Sequence, residues 1–418
     1  MRSPLHRPFY FLSALCTLYV ALCTLSVSAQ DLTGRIDLES RLFPNSGLIP
    51  GQHGSNASIS AEPELYLDWN DGYQSLTITP FARFDLGDSR RTHFDIREAY
   101  WLMIANTWEL KVGFNKVFWG VTESQHLVDV INQTDLVEAP DGEDKLGQPM
   151  IQWTWLPAFG TIDVFVMPLF RERTFPGSEG RLRFPFPIAV DPTIRHERID
   201  LAARWFQPIS IFDIGVSHFW GTSREPRFAP LVDDNNELSL IPVYDTINQT
   251  GLEIQATFGG WLLKVESILR SGQGDTFGSI AGGFEYTFGN VANSGADIGL
   301  LAEYHYDSRG SDFEFAPLDP TFPTPLVNEP ISLSSFENDL FLGSRLALND
   351  VQSTAFLGGG IIDMDSGTTS LFAEASRRIG NQWTISLEAR GFTNIDEADP
   401  FYFFRKDSYF ELLISYFY

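Results

Sequence analysis

The last ten residues of the chain, YFELLISYFY, alternate strictly in character. Large apolar side chains stand at every second position, namely Phe410, Leu412, Ile414, Tyr416 and Tyr418. The only charge, Glu411, belongs to the intervening set. A period of two places the apolar side chains on one face of a β-strand. Because the termini of soluble domains usually fray into water, an apolar face that runs to the last residue predicts a strand in contact with lipid.

The same alternation recurs along the chain, for example where Leu38 stands between Asp37 and Glu39, and Asn70-Asp71-Gly72 is typical of a hairpin turn. Short turns alternate with longer loops, of which the longest are residues 120–146, 172–196, 221–244 and 307–335. Beyond the N-terminus no stretch of about 20 residues is apolar enough for a membrane-spanning helix. In a bilayer, only a closed barrel of strands then gives every backbone N–H and C=O group a hydrogen-bond partner. We therefore expect an all-β fold, a transmembrane antiparallel β-barrel of about 18 strands (16 as the alternative) with short periplasmic turns and long extracellular loops.

The N-terminus predicts export. A positive head with Arg2 and Arg7 precedes an apolar run, and small residues end at Ala29. This order is typical of a Sec signal peptide over residues 1–29, which leaves residues 30–418 as one outer-membrane barrel domain. An uncleaved membrane anchor is the alternative.

Charge and cysteine content exclude several classes of function. Both cysteines, Cys16 and Cys23, lie in the signal, so the mature chain has neither disulfides nor thiolate metal sites. Cleavage removes two arginines and no acid, which changes the net charge from −25 to −27. Such an acidic chain is a poor partner for nucleic acid.

Tryptophan positions support the barrel. Six of the ten tryptophans lie within a few residues of a predicted short turn, namely Trp69, Trp108, Trp155, Trp205, Trp261 and Trp383. Aromatic girdles at the membrane interfaces are typical of transmembrane barrels. The alternative, a large soluble β-protein with aromatic corners, does not need apolar rows on nearly every strand.

Two loops are the best candidates for function. Residues 117–146 are acidic but contain an apolar patch at residues 127–131, so we expect this loop to fold into the lumen and narrow it. Its constriction candidates are Trp119, Gly120, Asp129, Asn132 and Asp135. Residues 171–198 hold six arginines, namely Arg171, Arg173, Arg181, Arg183, Arg195 and Arg198. Such a cluster could capture a carboxylate or phosphate at the mouth; its alternatives are binding of surface lipopolysaccharide phosphates, or plain solvation.

Opposite the apolar rows, the strands carry charges of both signs that we expect to face the lumen. Five of these residues are pore-lining candidates, namely Lys264, Glu266, Arg270, Arg345 and Arg390. Charges of opposite sign on neighbouring strands meet as ladders. Most would hydrate or brace the wall, and the sequence leaves open which few set selectivity.

A resemblance to a known family rests on residues 112–136, VGFNKVFWGVTESQHLVDVINQTDL. A strand that ends in Trp119-Gly120, followed by Asp129-Val130-Ile131-Asn132, resembles the porin-like outer-membrane barrels of Gram-negative bacteria. The similar group is one of uncharacterised function, with phosphate-selective porins more distant. Residues 94–100 and 244–266 fit the same pattern, whereas Gln133 departs from it, since the family usually has proline there. The resemblance implies passive or partner-assisted passage of a small solute, and it does not supply the solute.

No catalytic motif accompanies these features. Neither G-x-S-x-G nor H-E-x-x-H occurs, so no catalytic residue is assigned. Residues 233–237 and 363–365 are acidic but lack the spacing of a calcium loop, so neither metal nor cofactor is expected.

We therefore expect an outer-membrane porin or diffusion channel for a small solute. An outer-membrane surface enzyme of the lipase or protease type is the alternative, as is a blocked structural or binding barrel. The expected partners are outer-membrane lipid and lipopolysaccharide, the solute and, left open, a second copy of the chain. The C-terminal strand is similar to those of bacterial outer-membrane barrels, which implies the barrel-assembly machinery as a further partner.

Overall fold

A ring of antiparallel strands forms the wall of the molecule. The structure is a computed structural model that describes residues 29–189, 194–232, 238–310, 336–397 and 399–418. Its strands are β1 Ala29–Leu42, β2 Ser55–Trp69, β3 Gln74–Asp85, β4 His93–Ile104, β5 Trp108–Asn115, β6 Gln148–Trp155, β7 Thr161–Met167, β8 Asp200–Ile209, β9 Phe212–Thr222, β10 Arg227–Val232, β11 Leu238–Val243, β12 Thr246–Phe258, β13 Trp261–Ser271, β14 Phe277–Phe288, β15 Asp297–Asp307, β16 Asn338–Ala347, β17 Ala355–Asp363, β18 Thr369–Ile379, β19 Trp383–Thr393 and β20 Tyr409–Phe417. The described residues contain no helix long and apolar enough to cross a membrane.

Eighteen of these strands close into a barrel. Each pairs antiparallel with its neighbours in chain order, and β1 pairs with both β2 and β20. The closing register runs from Arg35 opposite Phe417 to Leu42 opposite Phe410. The C-terminal strand is therefore the one that seals the ring, and closure leaves no unpaired edge. The predicted fold class and the count of 18 strands are confirmed.

The long loops differ from expectation in one place. Because β9 pairs directly with β12, the hairpin β10–β11 is not part of the barrel sheet. Its two strands take up half of residues 221–244, which the sequence predicted to be one of the longer loops. Of the predicted loop at residues 307–335, residues 311–335 lie outside the described residues, as do residues 233–237.

Alternation places apolar side chains outside and most polar side chains inside. In β1, Leu38 is 51% exposed on the outer face, whereas Glu39 is 6% exposed on the inner face. In β20, Phe410 is 57% exposed outward and Ser415 is 6% exposed inward. An outer surface of this kind is stable when its surroundings are apolar, as in transmembrane barrels.

Short turns join the strands at one end of the barrel. In the predicted hairpin turn, the Tyr73 N–H donates to the Asn70 carbonyl oxygen at 3.2 Å, and the two central residues, Asp71 and Gly72, adopt positive φ, at 57° and 82°. This is the backbone that a two-residue turn between twisted antiparallel strands requires. Trp69 ends β2 directly before this turn, and Trp261 and Trp383 begin strands after other short turns.

Candidate pore and constriction

The connection between β5 and β6, residues 116–147, turns into the barrel; we call it the inner loop. The side chain of Asn132 joins its two ends. It accepts a hydrogen bond from the Val117 N–H and donates to the carbonyl oxygens of Asn115 and Leu146. Because Asn132 is 1% exposed, these bonds form away from competing water. This constriction candidate therefore clamps the loop at its base.

The apolar side of the inner loop packs against one sector of the wall. Trp119, Val128, Val130 and Ile131 join the inward side chains of β6–β9 and β12–β14 in one cluster. The wall members are Met150, Phe165, Met167, Ala202, Phe219, Ile247, Ile268 and Phe277. Ile131 is fully buried. This sector of the barrel interior is therefore a hydrophobic core.

A carboxylate of the wall holds the far end of the inner loop. Glu266 of β13 is fully buried. Its Oε1 accepts from the Val121 and Thr122 N–H groups at 2.6 and 2.9 Å and from the Thr122 hydroxyl at 2.6 Å, and its Oε2 accepts from the Val128 N–H at 3.2 Å. Gly120 permits the approach, because its φ is +138° and a Cβ there would lie 2.9 Å from Glu266 Oε1. Glu266, predicted to line the pore, thus anchors the loop.

A second wall carboxylate, Glu303 of β15, continues this anchor. It accepts from the N–H groups of Glu123 and Ser124 and from the Ser124 hydroxyl at 2.6 Å. The same hydroxyl lies 2.7 Å from Nε2 of His305. Nδ1 of His305 is buried with no hydrogen-bond partner among the described residues, so no carboxylate orients the ring as a serine–histidine–acid triad requires. The Ser124–His305 contact therefore serves the anchor.

Arginines of β3 and β4 hold the inner loop on the opposite side. Arg83 donates from Nε to both carboxylate oxygens of Glu138, at 2.9 and 3.1 Å. Arg97 donates to Asp135 at 2.7 Å. Arg91, from the turn between these strands, donates to the Glu138 carbonyl oxygen. Because the loop is also bonded to β13 and β15, it crosses the barrel interior.

The inner face of β16–β20 is less enclosed. Four of its charged side chains keep part of their surface open, with Arg345 at 41%, Glu374 at 43%, Glu388 at 22% and Arg390 at 20% exposed, whereas Asp339 is 3% exposed. Two of them reach acids of the inner loop, since Arg345 lies 2.5 Å from Glu123 and Arg390 lies 2.9 Å from Asp141. This sector therefore joins the loop through charge pairs instead of an apolar core.

The other pore-lining candidates are tied to polar partners. Lys264 lies 3.3 Å from Glu123. Arg270 donates to Gln249 and to Glu225, each at 2.7 Å. The charge of Arg270, which outweighs burial, lowers the pKa of Glu225 to about 2. This acid therefore stays ionised across the ordinary pH range.

Asp129, a constriction candidate, is buried within the inner loop. Its carboxylate lies 3.2 Å from the Lys145 ammonium. Burial raises the pKa of Asp129, although Lys145 opposes this. The pair holds together two parts of the inner loop.

The arginines of residues 171–198 are spread through the structure. Arg171 pairs with Asp95 at 2.7 Å, and Arg173 contacts Gln133 of the inner loop at 3.4 Å. Burial lowers the pKa of Arg173. These two arginines lie beside the inner loop.

The remaining arginines of this segment lie nearer the rim. Arg181 is buried against Asp407 at 2.7 Å. Arg183 and Arg198 donate to backbone carbonyl oxygens, and Arg195 is exposed. The six arginines therefore do not converge on one point, and a role for them in selectivity stays a prediction.

The sequence did not single out several residues that hold the inner loop, namely Arg83, Arg91, Arg97, Glu138 and Glu303. The alternation of β3 and β4 carried a signal, since it places Arg83 and Arg97 on inward positions. No local pattern pairs them with Glu138 and Asp135, which lie 55 and 38 residues away.

Solved structures share this architecture. OccD3 (OpdP) of Pseudomonas aeruginosa matches with a TM-score of 0.54 at 12% identity, over 94% of this chain and 92% of that one. OccK11 (OpdR) of the same species matches with a TM-score of 0.51 at 11% identity, over 93% and 95%. Wzi of Escherichia coli, described as a carbohydrate-binding β-barrel involved in capsule assembly, matches with a TM-score of 0.50 at 9% identity, over 97% and 87%.

No protein-family model matches this sequence, and no curated protein is similar enough to count as a match. At identities of 9–12%, the structural likeness establishes the fold. The chain therefore has the fold of porin-type outer-membrane β-barrels.

Proposed function

We propose that the protein is a channel of the bacterial outer membrane, through which a small solute passes between the inner loop and the β16–β20 wall. The observation that carries this proposal is the contrast inside the barrel. Apolar inward side chains of β6–β9 are packed into a core, whereas charged side chains of β16–β20 stay up to 43% exposed. Water and a hydrated solute are accommodated next to partly solvated charges and excluded from a close-packed core.

The charges of this sector favour cations. Six carboxylates belong to it, namely Glu123, Asp141, Glu143, Glu374, Glu388 and Glu411, against four cationic side chains, namely Arg41, Lys264, Arg345 and Arg390. An excess of one sign of charge along a narrow passage concentrates ions of the opposite sign. We therefore expect small cations to pass more readily than anions of the same size.

Planar-bilayer recording tests this proposal. The purified protein should give discrete conductance steps, and the reversal potential across a potassium chloride gradient should indicate cation preference. The double variant Glu374→Gln, Glu388→Gln should lose part of that preference. Asp71→Asn, which removes a charge from a short turn outside the lumen, is the matched control and should not. A silent bilayer contradicts the channel, and an unchanged reversal potential in the double variant contradicts the route.

The predicted role of the arginines in residues 171–198 is tested separately. Replacing Arg171, Arg173 and Arg183 with alanine should shift ion preference further toward cations, since positive charge is removed beside the inner loop and, with Arg183, nearer the rim. An unchanged reversal potential would remove residues 171–198 from the pore.

A blocked binding barrel is the second candidate. It is favoured by the inner loop, which is hydrogen-bonded to β13 and β15 on one side and to β3 and β4 on the other. The structurally similar Wzi, described as a carbohydrate-binding β-barrel, belongs to this class of function. A wild-type protein that is silent in bilayers, together with a variant lacking residues 120–138 that conducts, would favour this candidate over the channel.

The export signal belongs to the same proposal. Cleavage after Ala29 predicts a mature protein that begins at Gln30, which intact-mass spectrometry of protein from the outer-membrane fraction would detect. Assembly through the C-terminal strand predicts loss from that fraction when Tyr416 and Tyr418 are replaced with serine. Retention of the full N-terminus would contradict the signal.

A further inference from the structure

Three metal-ligating side chains meet where the inner loop contacts β4. Among the described residues, His93, Asp135 and Glu138 form the group of three whose ligand atoms all lie within 4.8 Å of one another. Nε2 of His93 lies 3.4 Å from Oε1 of Glu138 and 3.8 Å from Oδ2 of Asp135. Ligands bound to one Zn²⁺ at about 2.0–2.2 Å would be roughly 3.3–3.6 Å apart in a tetrahedral arrangement. The three atoms therefore need only small shifts to share an ion.

The imidazole of His93 is oriented as a ligand. Its Nδ1 lies 3.1 Å from the carbonyl oxygen of Arg91. Because a carbonyl oxygen only accepts, Nδ1 carries a hydrogen, and Nε2 is the ring nitrogen that faces the two carboxylates. Nε2 is buried, and no described residue forms a hydrogen bond with it.

Each of the three side chains also has an outer partner that holds it in place. Thr174 donates to Oδ1 of Asp135 at 2.6 Å, and Arg97 donates to Oδ2 at 2.7 Å. Arg83 donates to Glu138. In metal sites, histidine and carboxylate ligands are commonly oriented by such contacts, including a ring N–H donated to a backbone carbonyl.

The charge balance around His93 leaves room for a cation despite these arginines. The ion-paired carboxylates of this network are Glu39, Asp85, Asp95, Asp135, Glu138 and Glu411, and the arginines are Arg41, Arg83, Arg91, Arg97 and Arg171. The carboxylates outnumber the arginines by one. A divalent cation would lie at the point where two carboxylates and Nε2 of His93 converge.

We propose that His93, Asp135 and Glu138 form a binding site for a divalent transition-metal cation, with Zn²⁺ as the ion that fits, and that the ion joins the inner loop to β4. One imidazole with two carboxylates suits Zn²⁺, whereas Mg²⁺ and Ca²⁺ prefer oxygen ligands alone. The side chain of His93 is 21% exposed, which gives the ion a path from the barrel interior. Binding at this site does not depend on conduction, so it stands apart from the channel proposal.

Isothermal titration calorimetry of the full chain in detergent, with ZnCl₂ as the probe, tests the site. One Zn²⁺ should bind per chain, and MgCl₂ should not compete. His93→Ala should weaken Zn²⁺ binding by at least about 10-fold. The matched control is His196→Ala, since this histidine also lies beside one carboxylate, Glu172, at 3.5 Å, and is outside the inner loop. It should leave the affinity unchanged.

A measurement on the wild-type protein covers the case in which His93→Ala does not fold. Zinc K-edge X-ray absorption of the protein with one equivalent of Zn²⁺ should give nitrogen and oxygen ligands at about 2.0–2.2 Å and scattering from one imidazole. Loss of binding in His196→Ala, equal affinity in His93→Ala, or an absorption spectrum without imidazole would each overturn the proposal.

Discussion

The inner faces of β6–β9 and of β16–β20 belong to the same ring and have the same apolar outer face, yet they differ inside. The first presents Phe165, Met167 and Phe219 to the inner loop, and all three are buried in one apolar cluster. The second presents Glu374 and Arg390, which keep part of their surface open. A closed barrel therefore need not have a water-filled interior. Where a loop brings its own apolar patch, burial converts that sector into a core.

The largest effect is expected when an aromatic side chain of the inner loop is removed from the core. Trp119→Ala should lower the free energy of unfolding by about 3–5 kcal/mol, because it leaves a cavity in a close-packed cluster. Leu357→Ala removes an apolar side chain from the inner face of β17, which is only partly buried, and should cost less than about 1.5 kcal/mol. Urea unfolding in lipid vesicles, followed by gel mobility, measures both. Equal losses would mean that the two sectors are packed alike.

A smaller effect is expected at the polar anchor. Glu266→Gln places an amide NH₂ against backbone N–H donors and should weaken docking of the inner loop by about 1–3 kcal/mol. Lys116 and Lys145 lie at the two ends of the loop, so trypsin should cleave this variant faster than wild type. Glu374→Gln in the open sector should leave the rate unchanged. Cleavage rates that rise equally in both variants would contradict the role of Glu266 in holding the inner loop.

The smallest effect is a dependence on pH. Burial lowers the pKa of His126, but its hydrogen bond and charge contact with Glu143 outweigh this, so the pKa is raised overall. The contact therefore makes its full contribution to docking of the inner loop below about pH 6.5. This contribution is lost as the pH rises through the raised pKa of His126. Glu266 and Asp129 also face His126 and act in the same direction.

Because Glu143 is 58% exposed, the pH effect should stay below about 1 kcal/mol. Tryptic cleavage of the inner loop should speed up between about pH 5 and about pH 8 in wild type. In His126→Gln, the rate of cleavage, corrected for the pH dependence of trypsin itself, should stay constant over this pH range. A variant that keeps the wild-type pH profile would show that another group titrates.

The wall of this protein was determined by its sequence. The direction of a side chain in a strand depends only on its position along that strand, so the alternation of Leu38 with Glu39, or of Phe410 with Glu411, predicted which face is apolar. Turn residues such as Asn70 and Asp71 ended the strands, since few residues adopt positive φ readily. These local signals predicted the barrel, and counting them predicted its 18 strands, which the structure confirms.

The interior was decided by the tertiary structure. The apolar patch at residues 127–131 indicated that the inner loop had side chains to bury, but not which strands would cover them. Arg83 meets Glu138, and Glu266 meets Thr122, only because the ring closes and the loop crosses it. His93 comes to lie beside Asp135 in the same way. Contacts between residues far apart in the chain depend on the path of the whole backbone, and no local period of the sequence encodes that path.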